Sequence, residues 1–185
     1  MTRVCLVGDD DVNLRYELLS RETSRNALVT YDLREPFENA IGIETVSLGA
    51  AVALLNDLDW YLVRFVEEAL VLEPSISDDE WLSRDLAARI RADEADEETI
   101  DRYLKVYGID HPGADETDAE ESTESGGTED ESNAVDETAE PTQDRPPRLV
   151  EPMLVARTGE MIPEYDLRDV DETLVVRLTE SEFDA

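Results

Sequence analysis

Residues 47–74, SLGAAVALLNDLDWYLVRFVEEALVLEP, hold most of the large apolar side chains in the first half of the chain. Burying one Leu, Val or Phe side chain contributes roughly 1.5–3 kcal/mol. We therefore expect this stretch to form the centre of the core, with the rest of the chain packed around it.

The stretch fits two patterns of secondary structure. Its polar residues fall on one side of a helix, which allows a single helix throughout. Residues 60–66 (WYLVRFV) are instead aromatic and β-branched, and Glu67-Glu68 separates them from a second apolar run. This pattern is typical of a hairpin that follows a short helix. We favour a helix over 48–58 and a hairpin over 60–66 and 69–73, with Trp60 and Trp81 in the core.

The segments before this stretch predict an α+β fold. Strands are predicted at 3–7, 27–33 and 41–46, with a helix over about 12–23 between the first two. The resulting order of strand, helix, strand, strand, helix, strand matches the ferredoxin-like split βαβ arrangement. A doubly wound parallel sheet is the alternative, but no helix fits between residues 33 and 41.

Two further helices are predicted after the stretch. Ser77-Asp78-Asp79-Glu80 has the S-x-x-E spacing of a capping box, which predicts a helix start. The inward residues of this helix would be Trp81, Leu82, Leu86 and Ile90. A second amphipathic helix is predicted from the spacing of Ile100, Tyr103, Leu104 and Tyr107, with Gly108 just beyond its end.

The composition changes completely over residues 110–147. Val135 is the only large aliphatic residue there, and residues 110–144 contain fourteen acids and no Lys or Arg. Such a segment buries too little apolar surface to offset its ordering entropy, so we predict a disordered acidic insertion.

Strands are predicted again at 149–157 and 173–179. Pro152 favours an edge position for the first of them, and residues 158–160 would form the turn that follows it. Two strands are too few to be stable alone. We expect both to return to the first sheet, giving a mixed sheet in a single α+β domain of residues 1–109 plus 148–183.

The chain is strongly acidic, with 48 acids, 16 bases and a net charge of −32. Lys105 is the only lysine. Removing residues 110–144 still leaves 34 acids against 16 bases, so the excess is not confined to the insertion. Because about 1 M salt shortens the Debye length to about 3 Å, this composition indicates a protein adapted to a salt-rich, halophilic cytoplasm.

Cys5 is the only cysteine and lies in an apolar run, so we predict a small buried side chain rather than a reactive thiol. The N-terminus lacks the charged and apolar regions of a secretory signal, and no uncharged apolar window reaches 18 residues. We predict a cytoplasmic location.

The sequence offers poor material for catalysis. Asp9, Asp10 and Asp11 follow a predicted strand and, with Asp32, resemble the acidic pocket and phosphoacceptor of a receiver domain. The spacing from Asp10 to Asp32 is too short for that fold, and Lys105 lies on a predicted helix. A helix cap and acidic surface is the better interpretation.

Two other features have similarly ordinary explanations. Ser47-Leu48-Gly49 could offer backbone N–H groups to an anion, but Ser47 is better read as a plain helix cap. His111, the only histidine, lies at the start of the acidic insertion. We therefore assign no catalytic, cofactor-binding or metal-binding residues and no cofactor.

Nucleic acid is disfavoured as a partner because no basic face is evident. Arg15, Arg21 and Arg25 recur along the first helix, but Glu17 and Glu22 alternate with them. A protein partner is compatible with the sequence, whereas a membrane is not. The sequence does not define an oligomeric state.

Several short segments resemble those of an uncharacterised haloarchaeal family, a domain of unknown function. These segments are 31–36 (YDLREP), 47–51 (SLGAA), 60–66 (WYLVRFV), 73–74 (EP) and 80–84 (EWLSR). The resemblance covers about residues 2–109 and 149–183, with the acidic insertion variable. It implies no known catalytic or binding residue.

Two functional classes remain after these exclusions. We favour a non-enzymatic interaction or regulatory module, since no catalytic set is evident. The alternative is a small-molecule-binding α+β domain that senses a ligand. An enzyme that uses only carboxylates and arginines is a third, less favoured reading.

Overall fold

The structure is a computed structural model that describes residues 1–112 and 145–185. These residues form seven strands and six helices. The strands are β1 (Thr2–Gly8), β2 (Ala40–Thr45), β3 (Val66–Leu72), β4 (Trp81–Ser83), β5 (Tyr103–Asp110), β6 (Arg148–Ala156) and β7 (Glu172–Leu178). The helices are α1 (Leu14–Ser20), α2 (Glu22–Leu28), α3 (Leu48–Asp57), α4 (Asp59–Phe65), α5 (Arg84–Arg91) and α6 (Glu180–Phe183).

All seven strands belong to one mixed sheet in the order β2-β1-β3-β4-β7-β5-β6. Neighbouring strands are antiparallel except β4 and β7, which are parallel. The predicted α+β class, the mixed sheet and the return of the C-terminal strands are confirmed. Because β7 lies between β4 and β5, it joins the N-terminal strands to the other two.

The two faces of the sheet pack against different parts of the chain. Alternate residues of a strand point to the same side of the sheet. The residues on one side pack against α1 to α5 and form the main core. The strand residues of this core include Val4, Leu6, Ile41, Ile43, Val71 and Leu82. The opposite face, called here the second face, carries a smaller core that includes Cys5, Leu70, Tyr107, Leu174 and Val176.

The structure resolves the ambiguity of residues 47–74. Helix α3 confirms the helix predicted over 48–58, and the Ser47 hydroxyl caps it by accepting from the Ala50 N–H at 3.1 Å. The predicted hairpin is wrong. A second helix, α4, follows at once and leads into β3, so the local β preference of residues 60–66 gives way to helical burial of Tyr61 and Leu62.

The position of Trp60 is also corrected. It lies on the solvent side of α4, and 51% of the residue is exposed. Trp81, at the start of β4, is half-buried. The apolar neighbours of Trp60 in sequence therefore did not place it in the core.

The ferredoxin-like strand order is present only in part. Residues 27–33 form the end of α2 and a turn rather than a strand, because Leu28 packs into the main core. Only β2 therefore lies between the first helices and α3. Strand β1 lies between β2 and β3 and is antiparallel to both, as the first strand of a split βαβ arrangement would be, but the second strand of that arrangement is replaced by the end of α2. The helix predicted over 12–23 is broken at Arg21, where extended backbone separates α1 from α2.

The helix predicted at Ser77 starts later. The Ser77 hydroxyl accepts from the Glu80 N–H at 3.1 Å, as a cap would, but a turn and β4 follow. Helix α5 begins at Arg84 and is capped by Ser83. The Glu80 side chain binds Arg157 and Arg177 instead, which draws it away from a capping role.

The prediction of a second amphipathic helix is wrong, because residues 103–110 form strand β5. Leu104 and Val106 alternate with Tyr103, Lys105 and Tyr107. The segment therefore follows the period of two typical of a strand rather than the spacing of a helix. Gly108 is a strand residue, not a helix terminator. A Cβ at Gly108 would lie 2.9 Å from the Tyr165 ring, so the close approach of Tyr165 requires glycine.

The predicted C-terminal strands correspond to β6 and β7, and β6 occupies a sheet edge as Pro152 suggested. The predicted turn is present, with Gly159 at φ 64°. The disorder predicted for 110–147 falls almost entirely outside the described residues. Its ends are defined because Asp110 pairs with Arg148, so this segment joins two adjacent antiparallel strands.

Candidate functional site: an acidic cleft on the second face

A cleft of about 850 Å³ opens on the second face of the sheet. Its lining comes from both parts of the chain: the ends of β1 and β5, the starts of β3 and β6, the β1–α1 loop, and the segments that precede β2 and β7. Among the described residues, seven carboxylate side chains and two arginines line it. These are Asp10, Asp11, Glu38, Glu67, Glu68, Asp110, Glu151, Arg148 and Arg168.

The loop between β1 and α1 forms one wall, and Asn39 holds this loop in place. The Asn39 amide nitrogen donates to the carbonyls of Asp9 and Val12 at 3.0 and 2.8 Å. Its side-chain oxygen accepts from the Leu14 N–H at 3.0 Å. Gly8 makes room for this contact, since a Cβ there would lie 2.6 Å from the amide nitrogen. The carboxylates of this wall therefore project from a fixed backbone.

Glu68 and Tyr107 form the floor of the cleft, and Lys105 contacts both of them. The Glu68 carboxylate binds the Lys105 ammonium group and accepts a hydrogen bond from the Tyr107 hydroxyl at 2.7 Å. The Lys105 ammonium also lies 5.3 Å from the centre of the Tyr107 ring. The only lysine of the chain is thus neutralised by its partner.

Burial raises the pKa of Tyr107, and the neighbouring Glu68 carboxylate raises it further. The phenol is therefore held as a neutral donor to Glu68. A strongly raised pKa makes Tyr107 a poor proton donor for catalysis at neutral pH. The floor is better suited to shape and charge recognition than to proton transfer.

Glu67 stands beside this floor among other carboxylates. Partial desolvation raises its pKa, and the charges of Asp10 and Glu68 raise it further, against a smaller opposing effect of Lys105. Crowded carboxylates disfavour the ionised form. A positive group placed in the cleft would relieve this repulsion.

The opposite wall comes from β6 and the segment before β7. Arg168 binds Glu151 at 2.9 Å, and the Tyr165 hydroxyl donates to the Glu151 carbonyl at 2.7 Å. Arg148 lies 3.8 Å from Asp10 across the cleft. Both arginines of the lining therefore already face a carboxylate, and the cleft keeps a surplus of negative charge.

The structure separates the residues of the receiver-like hypothesis. Asp10 and Asp11 line the cleft, whereas Asp32 is exposed on the loop after α2, 3.8 Å from Arg34. Lys105 lies on strand β5, not on a helix, and contacts Glu68 rather than an aspartate of the β1 loop. The order of strands also differs from a receiver, so this hypothesis has no geometric support.

Two other predicted side chains can now be placed. Cys5 is fully buried, as predicted, and burial raises the pKa of its thiol to about 12. His111 is exposed and lies 2.9 Å from Glu172. Sequence reasoning missed the Glu67-Glu68 pair, which was read as a hairpin turn, and it missed Asn39.

Within residues 1–112 and 145–185, no group of three or more His, Cys, Asp and Glu side chains could hold a metal ion. In the same part of the chain, no helix has the length and apolar character needed to cross a membrane.

These features define a small α+β protein with a mixed seven-stranded sheet and an acid-lined cleft on one face. The chain belongs to a family of unknown function (DUF5804), whose model matches residues 2–109. No curated protein and no solved structure matches this chain. The resemblance to an uncharacterised family is confirmed over this range. Its haloarchaeal source and its extension to residues 149–183 stay predictions.

Proposed function

We propose that the protein is a non-enzymatic interaction module that binds a cationic segment of a partner protein in the acidic cleft. The observation that carries this proposal is the cleft itself, where seven carboxylates and two arginines surround a volume of about 850 Å³. An arginine-rich segment suits this lining best, because a guanidinium group can donate two parallel hydrogen bonds to one carboxylate.

The charge balance of the cleft favours such a partner. Lys105, Arg148 and Arg168 already face carboxylates of the chain. The remaining carboxylates repel one another, as the raised pKa of Glu67 indicates. An incoming cation gains attraction and also removes this repulsion, and salt weakens both effects.

A small cationic metabolite is the second candidate. The cleft volume of about 850 Å³ falls within the range of about 300–1,000 Å³ that is common for small-molecule sites. A free amine or guanidinium compound would use the same carboxylates. The two candidates differ in whether a single cationic group is enough for binding.

Titration calorimetry with short arginine peptides, free arginine and spermidine tests the proposal. The variant carries Asp10→Asn and Glu67→Gln, and the matched control carries Asp32→Asn and Glu44→Gln, outside the cleft but with the same change in charge. We expect the cleft variant to bind the peptide at least about tenfold more weakly, equivalent to about 1.4 kcal/mol, and the control to bind it normally.

Equal weakening in both variants would mean that the peptide senses only net charge, and the proposal would be wrong. Binding of spermidine or free arginine as tight as that of the peptide would favour the metabolite. The titrations are compared at about 0.5 M and about 3 M KCl, because attraction between opposite charges should decline over this range.

A further inference from the structure

The charges that line the cleft are divided unevenly between its two sides. One side is formed by β1, β3, the β1–α1 loop and the segment before β2, and is called here the acidic side. Its charged lining residues, among those that the structure describes, are all carboxylates: Asp10, Asp11, Glu38, Glu67 and Glu68. The opposite side, formed by β5, β6 and the segment before β7, carries two carboxylates and two bases, which are Asp110, Glu151, Arg148 and Arg168. The surplus of negative charge therefore lies on the acidic side.

Two bases of the C-terminal strands reach across to the acidic side. Lys105 of β5 binds Glu68 of β3, although β4 and β7 lie between these two strands in the sheet. Arg148, at the start of β6, lies 3.8 Å from Asp10 of the β1–α1 loop. The chain thus places cations of its own against the side of the cleft that would attract a cationic partner.

The two bases differ in how firmly they are held. The side chains of Lys105 and Glu68 are only 23% and 16% exposed. Those of Arg148 and Asp10 are 57% and 87% exposed, and their separation of 3.8 Å is too long for a hydrogen bond. Water and salt screen such an exposed pair, which makes it weak. Arg148 is therefore the base that an incoming cation can replace.

The backbone beside Arg148 is fixed although its side chain is exposed. The Glu38 N–H donates to the Pro147 carbonyl at 2.9 Å, so the segment before β2 meets the residue before β6. Arg148 itself pairs with Asp110 of β5. These backbone contacts do not depend on where the guanidinium group lies. A displaced Arg148 side chain would stay next to the acidic side and compete there at a high effective concentration.

We propose that Arg148 is an internal counter-ion of Asp10, which a cationic partner must displace in order to bind. This inference rests on the proposed function, because it assigns a competing contact to the same cleft. A guanidinium group of the partner can donate two parallel hydrogen bonds to one carboxylate, whereas the contact it replaces makes none. The competition lowers the affinity for single cations and favours a segment that engages several carboxylates at once.

Titration calorimetry of the full chain with a short arginine peptide, at about 0.5 M KCl, tests the proposal. Arg148→Gln should raise the affinity about two- to fivefold, the factor expected when an exposed ion pair no longer competes. The matched control Arg168→Gln removes one positive charge from the same cleft, but Arg168 pairs with Glu151 and should raise the affinity less. In an Asp10→Asn background, the effect of Arg148→Gln should fall to that of Arg168→Gln, because Arg148 has lost its partner.

The side-chain NMR signal of Arg148 gives a second measurement. Its Nε–Hε resonance should shift when the peptide is added, whereas that of Arg157, in the cluster with Glu80, should not. Equal effects of Arg148→Gln and Arg168→Gln in both backgrounds, or weaker binding by Arg148→Gln, would overturn this inference and leave binding in the cleft intact. Absence of peptide binding in every variant would overturn the proposed function and this inference with it.

Discussion

Asn39 sits in a left-handed backbone conformation, with φ of 55°, and binds three backbone groups of the β1–α1 loop through its side chain. Asparagine tolerates this conformation better than most residues do. Asn39 therefore has two structural roles. Its backbone forms the tight turn before β2, and its side chain orients the acidic wall of the cleft.

We predict that Asn39→Gly lowers the free energy of unfolding by about 1–3 kcal/mol, because partly buried hydrogen-bonding groups of the loop lose their partners. Asn39→Ala should cost about 1–2 kcal/mol more, since alanine adds left-handed strain that glycine avoids. Urea unfolding in KCl measures both. Asn56→Ala, at an exposed position of α3, is the control and should change little. Equal stability of the glycine and alanine variants would contradict the assigned strain.

Glu67 gives a prediction for the dependence of stability on pH. Its pKa is raised in the folded chain, first by desolvation and then by Asp10 and Glu68. The folded state therefore favours the protonated form, and this contribution is lost as pH rises through the folded pKa. Ionised Glu67 should thus destabilise the fold at neutral pH.

Glu67→Gln should accordingly raise the melting temperature at neutral pH and have a smaller effect in acid, where both states are protonated. Glu44→Gln, on the edge strand β2, is the control. Melting curves across the acidic and neutral range check this. A stabilisation that stays constant with pH would mean that side-chain shape, not ionisation, is responsible.

The sequence predicted the environment of single residues correctly only where neighbouring residues in sequence determine that environment. The buried Cys5 and the cap at Ser47 follow from their immediate neighbours. The prediction that Trp60 is buried in the core was wrong, because the periodicity of residues 60–66 fits a strand as well as a helix. Glu68 was missed because its partners, Lys105 and Tyr107, lie 37 and 39 residues away and were assigned to a helix.

Glu80 connects the turn before β4 to the C-terminal strands. Its two carboxylate oxygens bind Arg157, which follows β6, and Arg177 of β7. The three side chains are only 12–14% exposed. Arg157 also approaches Asp101 at 3.5 Å, next to β5. This cluster therefore joins segments that are distant in sequence.

We predict that Glu80→Ala destabilises the protein by about 3–5 kcal/mol, because it leaves two largely buried guanidinium groups without their carboxylate. Glu151→Ala removes the exposed pair with Arg168 and should cost at most about 1 kcal/mol. Urea unfolding in KCl compares the two. If both variants lose the same small amount, the Glu80 cluster contributes no more than a surface ion pair.

Helices and strands were predicted correctly where the hydrophobic pattern and the residues at the ends of the segment indicate the same type of secondary structure. Strands β2 and β7 alternate in polarity, whereas β1 and β6 contain short apolar runs that end before the turn residues Gly8 and Gly159. Residues 27–33 and 103–110 are short apolar segments whose spacing fits either periodicity. Their state depends on contacts with distant strands, such as the pairing of β5 with β6 and β7, which local sequence does not contain.

The prediction of one α+β fold with a single mixed sheet was correct, although several of the predicted helices and strands were not. The C-terminal strands had to return to the sheet because two strands cannot bury their apolar residues alone. The family match ends at residue 109. Strand β5 therefore lies within the match except for Asp110, while β6 and β7, its neighbours in the sheet of the described residues, lie beyond it.

The acidic segment should be dispensable for folding, because Asp110 and Arg148 are already paired where it leaves and rejoins the sheet. Replacing residues 111–147 with about ten Gly and Ser residues should stabilise the protein by only ~1 kcal/mol, through a smaller loop-closure entropy. Urea unfolding in KCl measures the change. A large loss of stability would show that the segment packs against the rest of the chain.

Residues 1–112 and 145–185 share one sheet, with β7 between β4 and β5, and we expect them to unfold as one cooperative unit. Thermal unfolding of residues 1–112 alone, followed by circular dichroism in about 3 M KCl, tests this expectation. We expect no cooperative transition and an aggregating product, because β5 has lost both neighbouring strands. A monomeric fragment that melts cooperatively at the temperature of the full chain would contradict the claim and make the C-terminal strands a separate module.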